Sequence, residues 1–262
     1  MPFKGFNIQY PEYEVITPQT KQSFTVRSMN VQEEERLKGS LVTALKVAEH
    51  LNTCLYDSII KKPDHITDLD TFMRNTTLKD RDALLYGLYH ITYEEIRNYQ
   101  VKCTACGHTY PVTVQASSTF NFHAYPEKDI LTVKHKVELP KSKGVFAYIK
   151  QPTLFDELYA IKNFGNNPGT TIDLITETLI IDKFEQETET GATVSYTDRI
   201  DVIDAYMALP AKDKRAIYQT YEENFGKYGI ELKMKSFCSS CGKDDIYNIE
   251  LVENFFRALY SA

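Results

Sequence analysis

Apolar residues along this chain switch between a spacing near 3.6 and a spacing of two, and the switches mark its elements. Leu37, Leu41, Leu45, Ala48 and Leu55 fall at helical spacing. They predict a helix from Val31 to Ile60, with Gly39 as a mild flaw and Pro63 as the stop. A short helix is predicted over Asp68–Met73. Thr77-Leu78-Lys79-Asp80 has the form of a capping box with Asp in place of Glu. Leu84, Leu85 and Leu88 give the helix that follows a buried stripe, to about Ile91. Residues 98–116 read as extended. Residues 131–139 alternate with period two, 140–144 hold Pro and Gly, and 145–149 are again strand-like, which predicts a hairpin. Helices are predicted over 153–164, 170–187 and 197–209, the last with Ile200, Ile203 and Met207 on one face. Pro210 opens another helix that ends at Gly226. Residues 229–252 read as extended, and Glu253–Tyr260 as a last helical segment. The first 27 residues, punctuated by Pro2, Pro11 and Pro18, look like an arm or edge segment, with strand-like runs at Phe3–Ile8 and Phe24–Arg27.

Two C-x-x-C-G units change the picture: Cys103-Thr104-Ala105-Cys106-Gly107 and Cys238-Ser239-Ser240-Cys241-Gly242. Each reads as a zinc knuckle, two thiolates in one tight turn with a Gly that takes positive φ. Together Cys103, Cys106, Cys238 and Cys241 supply the four ligands of a tetrahedral structural Zn²⁺ site. The difficulty is separation. Between Cys106 and Cys238 lie 131 residues, far beyond the usual ribbon spacing of about 15–20. A redox C-x-x-C, an iron–sulfur cluster or two unrelated thiol pairs are the rivals. Strand-like residues follow both motifs, which favours a ribbon over a thioredoxin-like site, where a helix should follow. Lys102, Lys233, Lys235 and Lys243 stand near the thiolates in sequence. His108 is a lesser candidate ligand, and Cys54 reads as a buried small hydrophobe.

The context of the knuckles repeats. Lys79-Asp80-Arg81 precedes a helix, an extended arm and Cys103; Lys212-Asp213-Lys214 precedes the same series before Cys238. A pseudo-twofold arrangement would bring both knuckles to one metal and account for the long gap. The expected fold class is α+β: helical lobes joined by a Cys₄ zinc ribbon made of two distant knuckles, plus a β-hairpin. The expected organisation is an extended arm (1–30), a helical region (31–98), two ribbon halves (99–116 and 229–252), a hairpin-and-helix insertion (117–228) and an aromatic C-terminal segment (253–262).

Composition narrows the function. Over 262 residues, 30 Lys+Arg against 36 Asp+Glu leave a net charge of −6, which argues against a protein that wraps nucleic acid. With no run of eighteen apolar residues, no membrane span is expected. The N-terminus lacks the apolar core of a signal peptide, so a reducing, cytoplasmic setting is the expectation. H-E-x-x-H, G-x-S-x-G, P-loop and G-x-G-x-x-G motifs are all missing, so no catalytic residue and no enzymatic activity is expected. The turn-rich run Phe164–Thr170 before a helix reads as an ordinary loop and cap. Phe255, Phe256 and Leu259 are the candidate interface residues, since aromatic side chains bury large areas at low entropic cost.

The order of these pieces resembles the T-even-like bacteriophage baseplate hub protein family. Asp80–Leu85, Cys103–Gly107, Leu139–Ser142, Cys238–Gly242 and Phe255-Phe256 carry the resemblance, over roughly residues 75–262. It implies a structural or assembly component of a contractile-tail baseplate, located in the virion tail and assembled in the host cytoplasm. Its partners would be other tail and hub proteins, with homo-oligomerisation left open. The alternative from another class is a zinc-ribbon nucleic-acid-binding viral transcription or replication factor. A thiol oxidoreductase is the third reading.

Overall fold

A computed structural model describes residues 9–38, 43–93, 96–115, 120–127, 129–188 and 190–248. The chain begins with an antiparallel hairpin, β1 (Glu12–Ile16) and β2 (Ser23–Arg27). Val15, Phe24 and Val26 point inward and are buried. Residues 12–27 of the segment expected to be an arm therefore contribute to a core, because their alternating apolar positions face helices, while the run expected at Phe3–Ile8 lies outside the described residues. Helices α1 (Val31–Lys38) and α2 (Ala44–Ser58) follow. The single helix expected over 31–60 is thus two, since Thr43 is extended and caps α2; Gly39 lies outside the described residues. Strand β3 (Ile59–Lys61) then pairs with β2. Helices α3 (Leu69–Asn75) and α4 (Leu78–Tyr93) complete a lobe whose core includes Phe24, Leu55, Phe72, Leu84 and Leu85. The chain leaves it through β4 (Ile96–Lys102), passes the first knuckle and returns along β5 (Thr109–Gln115).

After β6 (Phe120–His123) the same order starts again. Strands β7 (Lys134–Glu138) and β8 (Val145–Lys150) form the second hairpin. Helices α5 (Leu154–Phe164) and α6 (Ile172–Thr178) follow, then β9 (Ile181–Glu187), which pairs with β8. One strand is added here, β10 (Thr193–Tyr196), on the outer edge of β9. Helices α7 (Arg199–Ala208) and α8 (Ala211–Tyr221) come next, α8 ending in a π turn over Glu222–Gly226. The exit is β11 (Gly229–Phe237), the second knuckle and β12 (Asp244–Asn248). The architecture is mixed α+β in two halves of matching order.

The helix expected over 170–187 is a correction. Only Ile172–Thr178 is helical, and β9 takes the rest. Ile181 and Phe184 are buried in the second core, where pairing with β8 overrides helical periodicity. Of the apolar face expected on α7, Ile203 is buried while Ile200 and Met207 are exposed.

Matched contacts repeat along with the elements. At the end of β2, Arg27 pairs with Glu33, which caps α1 together with Asn30. At the end of β8, Lys150 pairs with Asp156, which caps α5 together with Thr153. Each hairpin turn is held by a buried aspartate in the first turn of a later helix. The Gln19 amide donates to Asp80 at 2.8 Å, and the Thr20 amide and hydroxyl at 3.1 and 2.6 Å. The Lys141 amide and Ser142 hydroxyl each donate to Asp213 at 2.7 Å. The charged Lys-Asp-Arg/Lys echo in the sequence thus marks a buried acceptor that pins a hairpin to a helix.

The halves meet head to head. Thr77 and Thr153 bridge as an antiparallel pair, with the Leu154 amide donating to the Thr76 carbonyl at 3.0 Å. Arg81 reaches across to Glu157 with both terminal nitrogens. A shared apolar cluster joins Ala48 of α2 to Ala160, Ile161 and Phe164 of α5. Among the described residues no helix is long and apolar enough to cross a membrane.

Candidate metal centre

Both knuckles are tips of antiparallel hairpins, closed by the pairs Lys102↔Thr109 and Phe237↔Asp244. Their backbones agree bond for bond. The Cys103 amide donates to the His108 carbonyl at 2.9 Å, and the Gly107 amide to the Cys103 carbonyl at 3.0 Å. The Cys238 amide donates to the Lys243 carbonyl at 2.9 Å, and the Gly242 amide to the Cys238 carbonyl at 2.8 Å. Gly107 and Gly242 take φ of 73° and 75°, the left-handed region in which a side chain is strained. The first Cys of each pair is buried and the second exposed.

The two tips bring the four sulfurs within 4.8 Å of one another. Cys103 Sγ lies 3.6 Å from Cys241 Sγ, and Cys106 Sγ 3.7 Å from Cys238 Sγ. A disulfide needs about 2.05 Å, so these are free thiols. Four sulfurs about 2.3 Å from one central ion stand roughly 3.8 Å apart in a regular tetrahedron. The observed spacings fit that geometry, and both close approaches run between knuckles. The four cysteines could therefore hold one metal ion shared by the two halves.

Supporting contacts lock the tips together. Val101, Cys103, Tyr110 and Cys238 form a small buried cluster flanked by Val112 and Tyr247. Tyr110 and Ser236 share a hydrogen bond of 2.8 Å across the halves. The Thr104 hydroxyl donates to Asp245 at 2.9 Å, and Tyr247 to the Lys102 carbonyl at 3.0 Å. Lys243 contacts Thr104 and pairs with Asp245 at 3.2 Å. Lys233 is engaged instead by Glu231 at 2.6 Å. Asp245, Tyr110 and Ser236 were not singled out by the sequence, where they read as ordinary strand residues.

Electrostatics divides the thiols. The Cys106 and Ala105 amides hold the Cys103 thiol down at about 7. The Lys243 amide favours the Cys241 thiolate, yet hydrogen bonds with Cys106, Cys103 and Cys238 push that thiol up to about 12.

The other cysteine and the extra histidine take no part in the cluster. Cys54 is buried 3.6 Å from Met29 Sδ, and burial pushes its thiol up to about 12, as suits a core residue. The His108 ring stacks on Tyr110, with centroids 6.1 Å apart. Phe255, Phe256 and Leu259 lie outside the described residues.

The fold and site define a two-half α+β protein whose matching knuckles converge on one cysteine cluster. A family model described as T4 bacteriophage base plate protein matches residues 10–257, and the chain belongs to that family. It is thereby a bacteriophage baseplate structural component. No curated protein and no solved structure matches the chain.

Proposed function

We propose that the protein is a zinc-stabilised structural or assembly component of the central hub of a contractile-tail baseplate, acting through protein–protein contacts. The family match over residues 10–257 carries this reading, and the cysteine cluster supplies its physical basis. Cys103, Cys106, Cys238 and Cys241 would hold Zn²⁺, whose preference for four thiolates in a closed tetrahedral site fits this donor set. The segments 99–116 and 229–252 then act as one ribbon, with the region between them returning the chain to the metal. Bound zinc supplies folding free energy, on the order of 10–16 kcal/mol in zinc-finger peptides. A rigid ribbon fixes the two lobes relative to one another and presents Phe255, Phe256 and Leu259 to other tail proteins.

Cross-linking mass spectrometry on phage-infected cells tests the assignment. Cross-links from this chain to central hub proteins are expected, and cross-links confined to the baseplate periphery or to nucleic acid would contradict it.

A further inference from the structure

The two halves do not meet through equivalent surfaces. The second half presents the start of α5, and the first half receives it at the start of α4. Glu157 of α5 pairs there with Arg81 of α4, and Leu154 is fully buried in the first core. The bond from the Leu154 amide to the Thr76 carbonyl is answered by one from the Leu78 amide to the Pro152 carbonyl at 3.3 Å. The contact is head to tail, so each half has one surface left over: the start of α1 in the first, the start of α8 in the second.

The repeat identifies the residues on those two surfaces. Arg27–Glu33 and Lys150–Asp156 are matched pairs, which sets Val31 against Leu154 and Glu34 against Glu157. Lys79-Asp80-Arg81 and Lys212-Asp213-Lys214 also match, which sets Lys214 against Arg81 and Tyr218 against Leu85. Leu154 and Leu85 are fully buried, whereas Val31 is 72% and Tyr218 59% exposed. Among the described residues no cation pairs with Glu34, which the Tyr93 hydroxyl meets at 3.4 Å. Among the same residues no carboxylate pairs with Lys214, which lies over the Tyr206 ring, 4.5 Å from its centroid. Lys214, Ile217 and Tyr218 line a cavity of about 730 Å³ between α6, α7 and α8. Asp173 and Glu177 line it too, and Glu177 is engaged by the Tyr206 hydroxyl at 3.2 Å. Beside Arg81 the first half carries Asp82, where the second half carries Arg215 beside Lys214. The start of α8 is therefore more positive than the start of α4, which already holds a glutamate. Pro210 stands in the place of Thr77, but the backbone bonds of the existing contact use the groups on either side of Thr77. A proline there leaves the matching bond, from the Val31 amide to the Leu209 carbonyl, open.

We propose that the protein associates with further copies of itself head to tail, the start of α1 of one copy docking on the start of α8 of the next. Glu34 then meets Lys214 of the neighbouring copy as Glu157 meets Arg81 within one chain. A second copy is the occupant because it carries an acid at the place that matches the base in the groove, on a scaffold that already makes this contact once. Such a contact closes into a ring or extends as a filament. The inference depends neither on the metal centre nor on a place in the hub.

Sedimentation velocity on the full-length protein, from about 1 μM to 1 mM, tests it. Mass should rise with concentration, and Glu34→Lys and Lys214→Glu should each weaken association at least tenfold. Both side chains are partly exposed, so both variants should fold. An equimolar mixture of the two holds one intact α1 surface and one intact α8 surface, and should give a 1:1 dimer and nothing larger. Glu34→Lys and Lys214→Glu in the same chain reverse the pair and should restore the wild-type assembly. A wild-type protein that stays monomeric throughout, single variants that assemble as tightly as wild type, or a mixture that stays monomeric would overturn the proposal. The wild-type series is decisive even if a variant does not fold.

Discussion

The two halves of this protein share a skeleton and differ in how firmly each joint is made. In the first, Asp80 collects three donors from the hairpin turn; in the second, Asp213 collects two. The first closes β2 onto α1 with a guanidinium that meets Glu33 through two nitrogens, and the second closes β8 onto α5 with a single ammonium contact. The second half adds β10 and replaces the packed Leu69 at the start of α3 by Arg199 at the start of α7. What stays constant is the route from hairpin to aspartate to helix to knuckle. What varies lies away from the cysteine cluster. The lesson is that the repeated contacts serve to aim two hairpin tips at one point, while the second half is freer to specialise.

Breaking the aspartate cradles should give large and unequal losses. Asp80→Ala strands the buried Gln19 amide and the partly buried Thr20 amide and hydroxyl, and should cost about 3–5 kcal/mol by urea unfolding. Asp213→Ala strands one amide and one hydroxyl, and should cost about 2–3 kcal/mol. Equal losses would mean that the donor count does not set the difference.

A smaller contrast lies one helical stretch further on. Gly87 of α4 leaves room for Val15 and Tyr13 of β1, and a Cβ there would overlap Val15. The corresponding residue of α8 is Thr220, whose hydroxyl donates back to the Ala216 carbonyl. Gly87→Ala should therefore destabilise by about 1–3 kcal/mol through overpacking, whereas Thr220→Ala should change stability by less than about 0.5 kcal/mol. Thermal unfolding of the two variants side by side reads the difference.

The smallest contrast is between the strand-end ion pairs. Arg27→Ala removes a two-pronged, largely buried contact with Glu33 and should cost about 1–2 kcal/mol. Lys150→Ala removes a more exposed one and should cost less than about 1 kcal/mol. High salt should narrow the gap only slightly, because Glu33 is shielded from solvent.

Much of this was legible in the chain itself. Cys-x-x-C-G is a local motif, so both knuckles and their hairpins could be read directly, and the Lys-Asp echo pointed to the repeat. The helix start at Leu78 was marked by a Thr-x-x-Asp box, whereas the matching box of Thr153 and Asp156 before Leu154 emerges only in the structure. What escaped depended on distant partners. Strand β9 looked helical until β8 lay beside it. Residues 12–27 looked like an arm because their apolar positions are few, and only the opposing helices make Phe24 and Val26 core. Asp80 read as part of a capping box and Asp213 as its echo, since nothing local says that a hairpin turn some sixty to seventy residues earlier will bury them.

The central claim is that one metal ion clamps both halves through Cys103, Cys106, Cys238 and Cys241. Elemental analysis of the purified full-length protein, with Cys103→Ser and Cys238→Ser beside it, tests this most directly. The account predicts one zinc per wild-type chain and loss of the metal in both variants, each with a sharply lowered unfolding temperature. A fully stable wild-type protein without metal, or a variant of one knuckle that keeps its zinc on the other, would contradict it.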